Sequence, residues 1–102
     1  MEWYNYLSGF FAGAFLTNFV PHFVNGISGN RFPTPFSKPH GKGLSSPQLN
    51  VVWALVNVVA GFILLLCAKI MVQNVLSMVI FFAGIVCISL RLSVRFAQKD
   101  KE

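Results

Sequence analysis

Residues 25–47 read NGISGNRFPTPFSKPHGKGLSSP, and this is the one long stretch of the chain that is not membrane-like. It holds four of the five prolines and three of the eight Lys and Arg residues, Arg31, Lys38 and Lys42. Gly26, Gly29, Pro33, Pro35 and Pro39 break regular structure. Proline-rich chain stays extended and stiff. Uncharged apolar sequence flanks the stretch on both sides. The reading is a basic, semi-rigid loop on one membrane face, around which transmembrane helices are arranged. Phe32, Phe36 and Leu44, interleaved with its cations, predict a segment lying against the headgroup layer.

Composition supports the membrane class. The 102 residues argue for one domain. Hydrophobic residues make up 55% and charged residues 11%, against about 25% charged in ordinary soluble domains. A soluble core of this size has no room for so much apolar surface. Net charge is +5, which in a soluble protein points towards nucleic acid. Here the cations lie outside the apolar runs, so anionic lipid headgroups are the simpler partner and nucleic acid is not expected. Cys67 and Cys87 each sit inside an apolar run without a CxxC or disulfide pattern and read as small packing residues. The start, Met1-Glu2-Trp3, has no basic segment of the kind that opens a secretory signal.

Outward from the loop, Trp3 to Val24 carries no charge, and about 20 such residues cross a bilayer. Trp3, Tyr4 and Tyr6 suit an interfacial aromatic belt. Gly9 and Gly13 form a GxxxG pair that predicts a close helix contact. Pro21 predicts a kink or an end to this helix. On the other side, Ser46-Pro47 reads as an N-cap followed by the first helical residue. Leu49 to Ala68 is uncharged, with Asn50, Ala54, Asn57, Gly61 and Ala68 on roughly one face. Such a stripe faces other helices, because unpaired amides are costly in lipid. A single helix from Pro47 to Phe96 would reach about 75 Å at 1.5 Å per residue, so the chain must turn near Gln73-Asn74. The third span, Val75 to Leu90, contains Ser77, Ala83, Gly84 and Ser89.

The expected fold is all-α, a single transmembrane domain over residues 1–102. Its helices span about 3–24, 47–72 and 75–96, with loop 25–46, a tight hairpin between helices 2 and 3, and a basic tail at 97–102. Three spans put the loop and C-terminus on one side. That side carries Arg31, Lys38, Lys42, Arg91, Arg95, Lys99 and Lys101, and the other only Lys69. The positive-inside rule then predicts N-out, C-in topology in a bacterial inner membrane. Asn18, His22 and Asn25 recur at i, i+4 and i+7, one helical face. They lie at the depth of Asn50, with Asn57 about 10 Å deeper and Ser89 and Arg91 arriving from helix 3. A polar cluster under the loop is the best site the sequence offers. Gly61 and Gly84 join Gly9 and Gly13 as expected packing positions.

Catalytic chemistry finds little material. The only carboxylates, Glu2, Asp100 and Glu102, lie at the chain ends. An acid/base pair or a proton-carrying intramembrane carboxylate is therefore hard to build, which excludes antiport through an intramembrane glutamate. No enzyme activity and no cofactor are expected. His22 and His40 lack a third strong ligand, so a hydrogen-bonded His22 outweighs a metal site. Gly41-Lys42-Gly43-Leu44-Ser45-Ser46 precedes a helix and offers N–H groups, a cation and hydroxyls to a phosphate. It is not a Walker motif, since Phe36 stands where the first glycine is required. Arg31, Lys38, Lys42, Ser45, Ser46, Arg91 and Arg95 are the candidate lipid or anion ligands. A plain turn with an N-cap is the simpler account, because capping alone explains Ser46-Pro47.

PHFVNGISGNRFPTPF (21–36) and GLSSPQLNVVW (43–53) resemble an uncharacterised family of small bacterial integral membrane proteins. The resemblance implies a membrane location and brings no activity or site residue. In topology alone the chain resembles three-span phage holins, which lack so structured a first loop. The expected function is a non-enzymatic accessory subunit or assembly factor, homo-oligomeric or in a larger complex. Its loop and tail would contact anionic lipid or a protein partner. The alternatives are a small oligomeric channel, pore or transporter along the Asn50/Asn57 stripe, and a phospholipid-headgroup binding protein.

Overall fold

The apolar runs on either side of the loop fold as helices. The computed structural model describes residues 2–37, 43–69 and 74–98. Its helices are α1 (Trp3–Ile27), α2 (Pro47–Ala68) and α3 (Val75–Phe96), each long and apolar enough to cross a membrane.

The ends of these helices follow local chemistry, with two departures from the sequence expectation. Pro21 does not end α1, which continues to Ile27 instead of closing at residue 24. Proline is tolerated in membrane helices because neighbouring groups re-satisfy the freed backbone. The stop comes from Gly29, whose φ of 75° is left-handed. Around it the Asn30 N–H donates to the Asn25 carbonyl (2.9 Å) and the Gly29 N–H to the Gly26 carbonyl (3.2 Å). This is the paired C-terminal bonding of a Schellman motif, which a glycine enters without a Cβ penalty. The second departure is at α2, which ends at Ala68 with Lys69 left-handed (φ 52°). Residues 70–72 of the expected helix lie outside the described residues. At the helix starts, Ser46 Oγ accepts from the Leu49 N–H (3.1 Å) and Asn74 Oδ1 from the Ser77 N–H (3.1 Å), as N-caps do.

Helix α1 is the centre of the fold. It runs antiparallel to α2: Asn5 bonds at Cys67, Gly61 abuts Leu16, Asn18 meets Asn57 and Gly26 abuts Val51. It runs parallel to α3: Asn74 donates to the Tyr6 hydroxyl (3.3 Å), Gly84 lies against the Phe10 carbonyl and Gly13 against that of Phe81. Helices α2 and α3 scarcely meet, so the expected tight hairpin between them is not a packed pair. The cause is where the small residues fall. Gly13 and Gly84 let backbone approach backbone across α1 and α3, and Ala54 and Gly61 do so on α2. The loop and the end of α3 therefore occupy one end of the bundle.

The bundle is polar inside and apolar outside. The buried residues of α2 are Asn50, Ala54, Asn57, Gly61 and Ala68, the five of the stripe. Those of α1 are Asn5, Gly9, Ala12, Gly13 and His22, and those of α3 are Ser77 and Gly84. Val59, Phe62, Leu66, Val79, Phe82 and Leu90 face outward, each more than half exposed. In water this inversion would forfeit most of the hydrophobic stabilisation; in lipid those side chains already lie in an apolar solvent. Cys67 and Cys87 are exposed and unpaired. They sit on the outer apolar surface, not in helix packing as expected, since glycine and alanine occupy the close contacts.

The loop folds back on itself. Phe32 and Ser45 form an antiparallel bridge, Phe32 N–H to Ser45 carbonyl at 3.2 Å and Ser45 N–H to Phe32 carbonyl at 3.0 Å. The Thr34 and Ser45 hydroxyls bond at 2.7 Å, and Ser37 Oγ donates to the Thr34 carbonyl (2.7 Å). Only Phe36 keeps the outward position expected of the loop aromatics. Phe32 is buried, its ring 4.5 Å from that of Phe96 and 5.6 Å from that of His22. The bridge turns it inward.

Candidate functional site

Polar side chains of α1 and α2 meet in layers below the loop. In the upper layer His22 Nδ1 and Asn50 Oδ1 lie 2.8 Å apart, both residues buried. Asn50 Nδ2 sits among three carbonyl oxygens, of Phe32 (2.8 Å), Ser46 (3.0 Å) and Ser45 (3.3 Å). Only a nitrogen is stable there, so the amide oxygen faces His22 and the ring donates from Nδ1. Asn50 thereby ties α1, the start of α2 and both strands of the loop bridge to one side chain. One layer deeper, Asn18 Nδ2 donates to Asn57 Oδ1 (2.9 Å), and Asn57 Nδ2 donates to the Trp53 carbonyl (2.8 Å). At the opposite end of the bundle Asn5 Nδ2 donates to the Cys67 carbonyl (2.8 Å), closing the last turn of α2.

Beside these layers, in the gap between α2 and α3, is a cavity of about 440 Å³. Asn18, His22, Trp53 and Asn57 contribute to one wall, Arg91 and Arg95 to the other, and Pro33–Pro35 to its loop end. Phe11, Ala14, Phe15 and Ile88 line its deeper part. Aromatic rings pack edge-on around His22, with Trp53 at 6.5 Å and Phe96 at 5.9 Å between ring centroids. Among the described residues, the indole nitrogen of Trp53 is the one buried side-chain polar atom without a hydrogen-bond partner. With Nδ1 committed to Asn50, Nε2 is the ring atom His22 has left for a ligand.

The sequence candidates divide into several groups. Asn18, His22, Asn50 and Asn57 come together as two bonded pairs. Asn25 and Ser89 do not join them. Asn25 Nδ2 donates to the Pro21 carbonyl of its own helix (2.7 Å), and Ser89 Oγ donates to the Ile85 carbonyl of its own helix (2.6 Å). Helical turns carry these two away from the contact face. Of the anion candidates, Arg91 and Arg95 line the cavity. Arg31 donates to the Leu44 carbonyl (3.4 Å) at the surface, Ser45 is used within the loop and Ser46 caps α2. These three groups thus make bonds within the loop and at the start of α2. Lys38, His40 and Lys42 lie outside the described residues, and with them the glycine-lysine turn. Among the described residues no group of three His, Cys, Asp or Glu side chains comes together.

Sequence reasoning missed Asn5, Trp53, Phe32 and Phe96. The Asn5 signal was present: an asparagine in the first turn of an uncharged span needs a partner in protein. Trp53 and Phe96 carry no such signal, because an aromatic in a membrane helix is as often turned to lipid.

Three helices of this length and apolarity define a multi-pass helical membrane protein. No family model, curated protein or solved structure matches the chain.

Proposed function

We propose that the chain is a non-enzymatic accessory subunit or assembly factor of a bacterial inner membrane. In this reading it lies N-out and C-in, with its loop and tail against anionic lipid or a protein partner. The observation that carries the reading is the distribution of polar groups. The interhelical amides bond to one another within the chain, while the outer faces of the helices are apolar. The loop end carries Arg31, Arg91 and Arg95 among the described residues. Such a surface suits contact with lipid and with other helices. The carboxylates that acid/base work would need stand only at the chain ends. A pore along α2 is disfavoured, because a path-lining amide must be free to exchange partners with water, and Asn50 and Asn57 are bonded on both amide atoms.

Native mass spectrometry after extraction in a mild detergent tests this. A co-purifying membrane protein, in homo-oligomeric or mixed assembly, is the expected result. A bare monomer in every detergent and lipid tried would refute the accessory-subunit reading. Orientation is tested with reporter fusions at residue 102, which should report cytoplasmic exposure.

A further inference from the structure

Two hydrogen-bond acceptors stand unused on the α1 wall of the cavity. Asn57 Nδ2 is fixed by the Trp53 carbonyl (2.8 Å), so Asn57 Oδ1 takes the N–H of Asn18 (2.9 Å) and the Asn18 amide oxygen is left over. His22 gives its Nδ1–H to Asn50 Oδ1 (2.8 Å), and in the neutral ring Nε2 is then an acceptor. No hydrogen bond of the described residues uses either atom. Neither atom is sealed in, since among the described residues only the Trp53 indole nitrogen is buried without a partner. Both residues line the cavity, four positions and so one helical turn apart.

The rest of the lining selects the donor. Amide and imidazole are uncharged acceptors, and a cationic donor would face Arg91 in the same cavity, so the donor is uncharged. Phe11, Phe15, Ile88 and the ring of Trp53 make the remainder apolar and largely aromatic, which suits a flat ring packed edge-to-face. Water would meet the two acceptors but not fill that apolar part, since apolar cavities stay dry. The volume, about 440 Å³, is that of a small-molecule site. Helices α2 and α3 scarcely meet, so a tail reaches the bilayer between them without crossing the protein.

We propose that this cavity binds an uncharged, membrane-soluble ring compound bearing a hydroxyl, of the phenol or quinol class. The hydroxyl donates to His22 Nε2, the ring lies among Phe11, Phe15 and Trp53, and an apolar tail leaves between α2 and α3. The inference stands apart from the accessory-subunit reading and holds whether or not a protein partner exists.

Trp53 is the reporter. The full chain carrying Trp3→Phe, which leaves Trp53 as the only tryptophan, is reconstituted into phosphatidylcholine vesicles. Three short-range quenchers are titrated: a meta-brominated decylphenol, its methyl ether, which cannot donate, and a bromodecanol. The phenol is expected to quench Trp53 saturably, at a membrane mole fraction at least about tenfold lower than the ether, the size of one well-made hydrogen bond. His22→Asn keeps an N–H for Asn50 and removes Nε2, and should bring the phenol down to the level of the ether. Ala14→Phe, which fills the cavity and touches no hydrogen bond, should abolish saturable quenching by both. Arg91→Gln should leave the preference in place, because the ligand is uncharged. Circular dichroism establishes that each variant keeps its helices.

Equal quenching by phenol and ether would overturn the proposal, as would a preference that survives His22→Asn. Loss of the preference with Arg91→Gln would mean a charged head and overturn it too. Quenching that only rises linearly with mole fraction would mean partition into lipid, with water at the two acceptors. A bromodecanol as effective as the phenol would overturn the ring and assign the site to an aliphatic alcohol such as diacylglycerol.

Discussion

Replacing Asn50 by leucine should destabilise the protein by about 2–4 kcal/mol, most of it from groups that lose their partner. The structure sets the terms. The Phe32 carbonyl would still accept from the Ser45 N–H and the Ser46 carbonyl from the backbone N–H of residue 50. Their loss is therefore the modest net value of an ordinary hydrogen bond, about 0.5–1.5 kcal/mol each. His22 is different. Its Nδ1–H has Asn50 Oδ1 as acceptor, in a residue only 2% exposed. Orphaning a buried donor costs about 1–3 kcal/mol. Leucine keeps the branched outline of asparagine but is bulkier, so at this fully buried position overpacking adds to the cost. The sharper form of the experiment is a double-mutant cycle with His22→Phe. If the pair is coupled as the geometry indicates, the double variant should recover about 1–2 kcal/mol relative to the sum of the singles, because both unsatisfied groups disappear together. The assay is reversible unfolding in mixed detergent micelles, followed by circular dichroism. Additivity within about 0.5 kcal/mol would refute the argument, since it would mean that His22 and Asn50 are satisfied independently of each other.

A Cβ at Gly84 would run into the Phe10 carbonyl and lie 2.9 Å from its carbon. Gly84→Leu should therefore force α3 away from α1 and cost about 1–3 kcal/mol as overpacking, seen as an earlier unfolding midpoint. Gly61 faces instead the flexible side chain of Leu16, at 2.7 Å from the added Cβ, so Gly61→Ala should cost less than Gly84→Ala in the same assay. Lys69 holds a left-handed conformation that glycine adopts freely, and Lys69→Gly should stabilise by about 1 kcal/mol. Cys67 and Cys87 lie on the outer apolar surface. In intact vesicles Cys87, within α3, should react with a membrane-permeant maleimide far more slowly than in denaturing detergent, because thiolate formation needs water. Equal rates in both would argue against lipid burial of that face.

Some of this architecture was readable residue by residue. The α2 stripe is one case: Asn50, Ala54, Asn57, Gly61 and Ala68 are spaced by three, four or seven residues on a helix otherwise made of large apolar groups, and they are its buried set. The start of α2 at Ser46-Pro47 is another, since an N-cap acts within three residues. The point at which α1 stops is less legible, for a local reason. Pro21 carries the stronger breaker signal, but the deciding residue is Gly29, whose left-handed conformation closes the helix two residues beyond Ile27. Asn25 shared the spacing of Asn18 and His22, yet it bonds to its own helix. Asn25 is three residues past His22, about 60° round a 3.6-residue period, and without the partner helix the spacing does not say which edge of that face makes the contact.

By itself the amino-acid sequence determined the number of spans, their approximate lengths, the small and polar faces, and that the loop and the C-terminal end of the last helix lie at one end of the bundle. Those properties depend on hydropathy over one bilayer thickness and on contacts within one helical turn, so they are local. Only the tertiary structure decided that α1 stands between α2 and α3, that Phe32 turns inward, that one amide at Asn50 joins His22 to the loop, and that Arg91 and Arg95 border the cavity beside Trp53. Small-residue faces of membrane helices are chemically alike, and a glycine stripe does not say which backbone it will meet. That choice is made by the mutual fit of all three helices and the loop, through contacts between residues tens of positions apart.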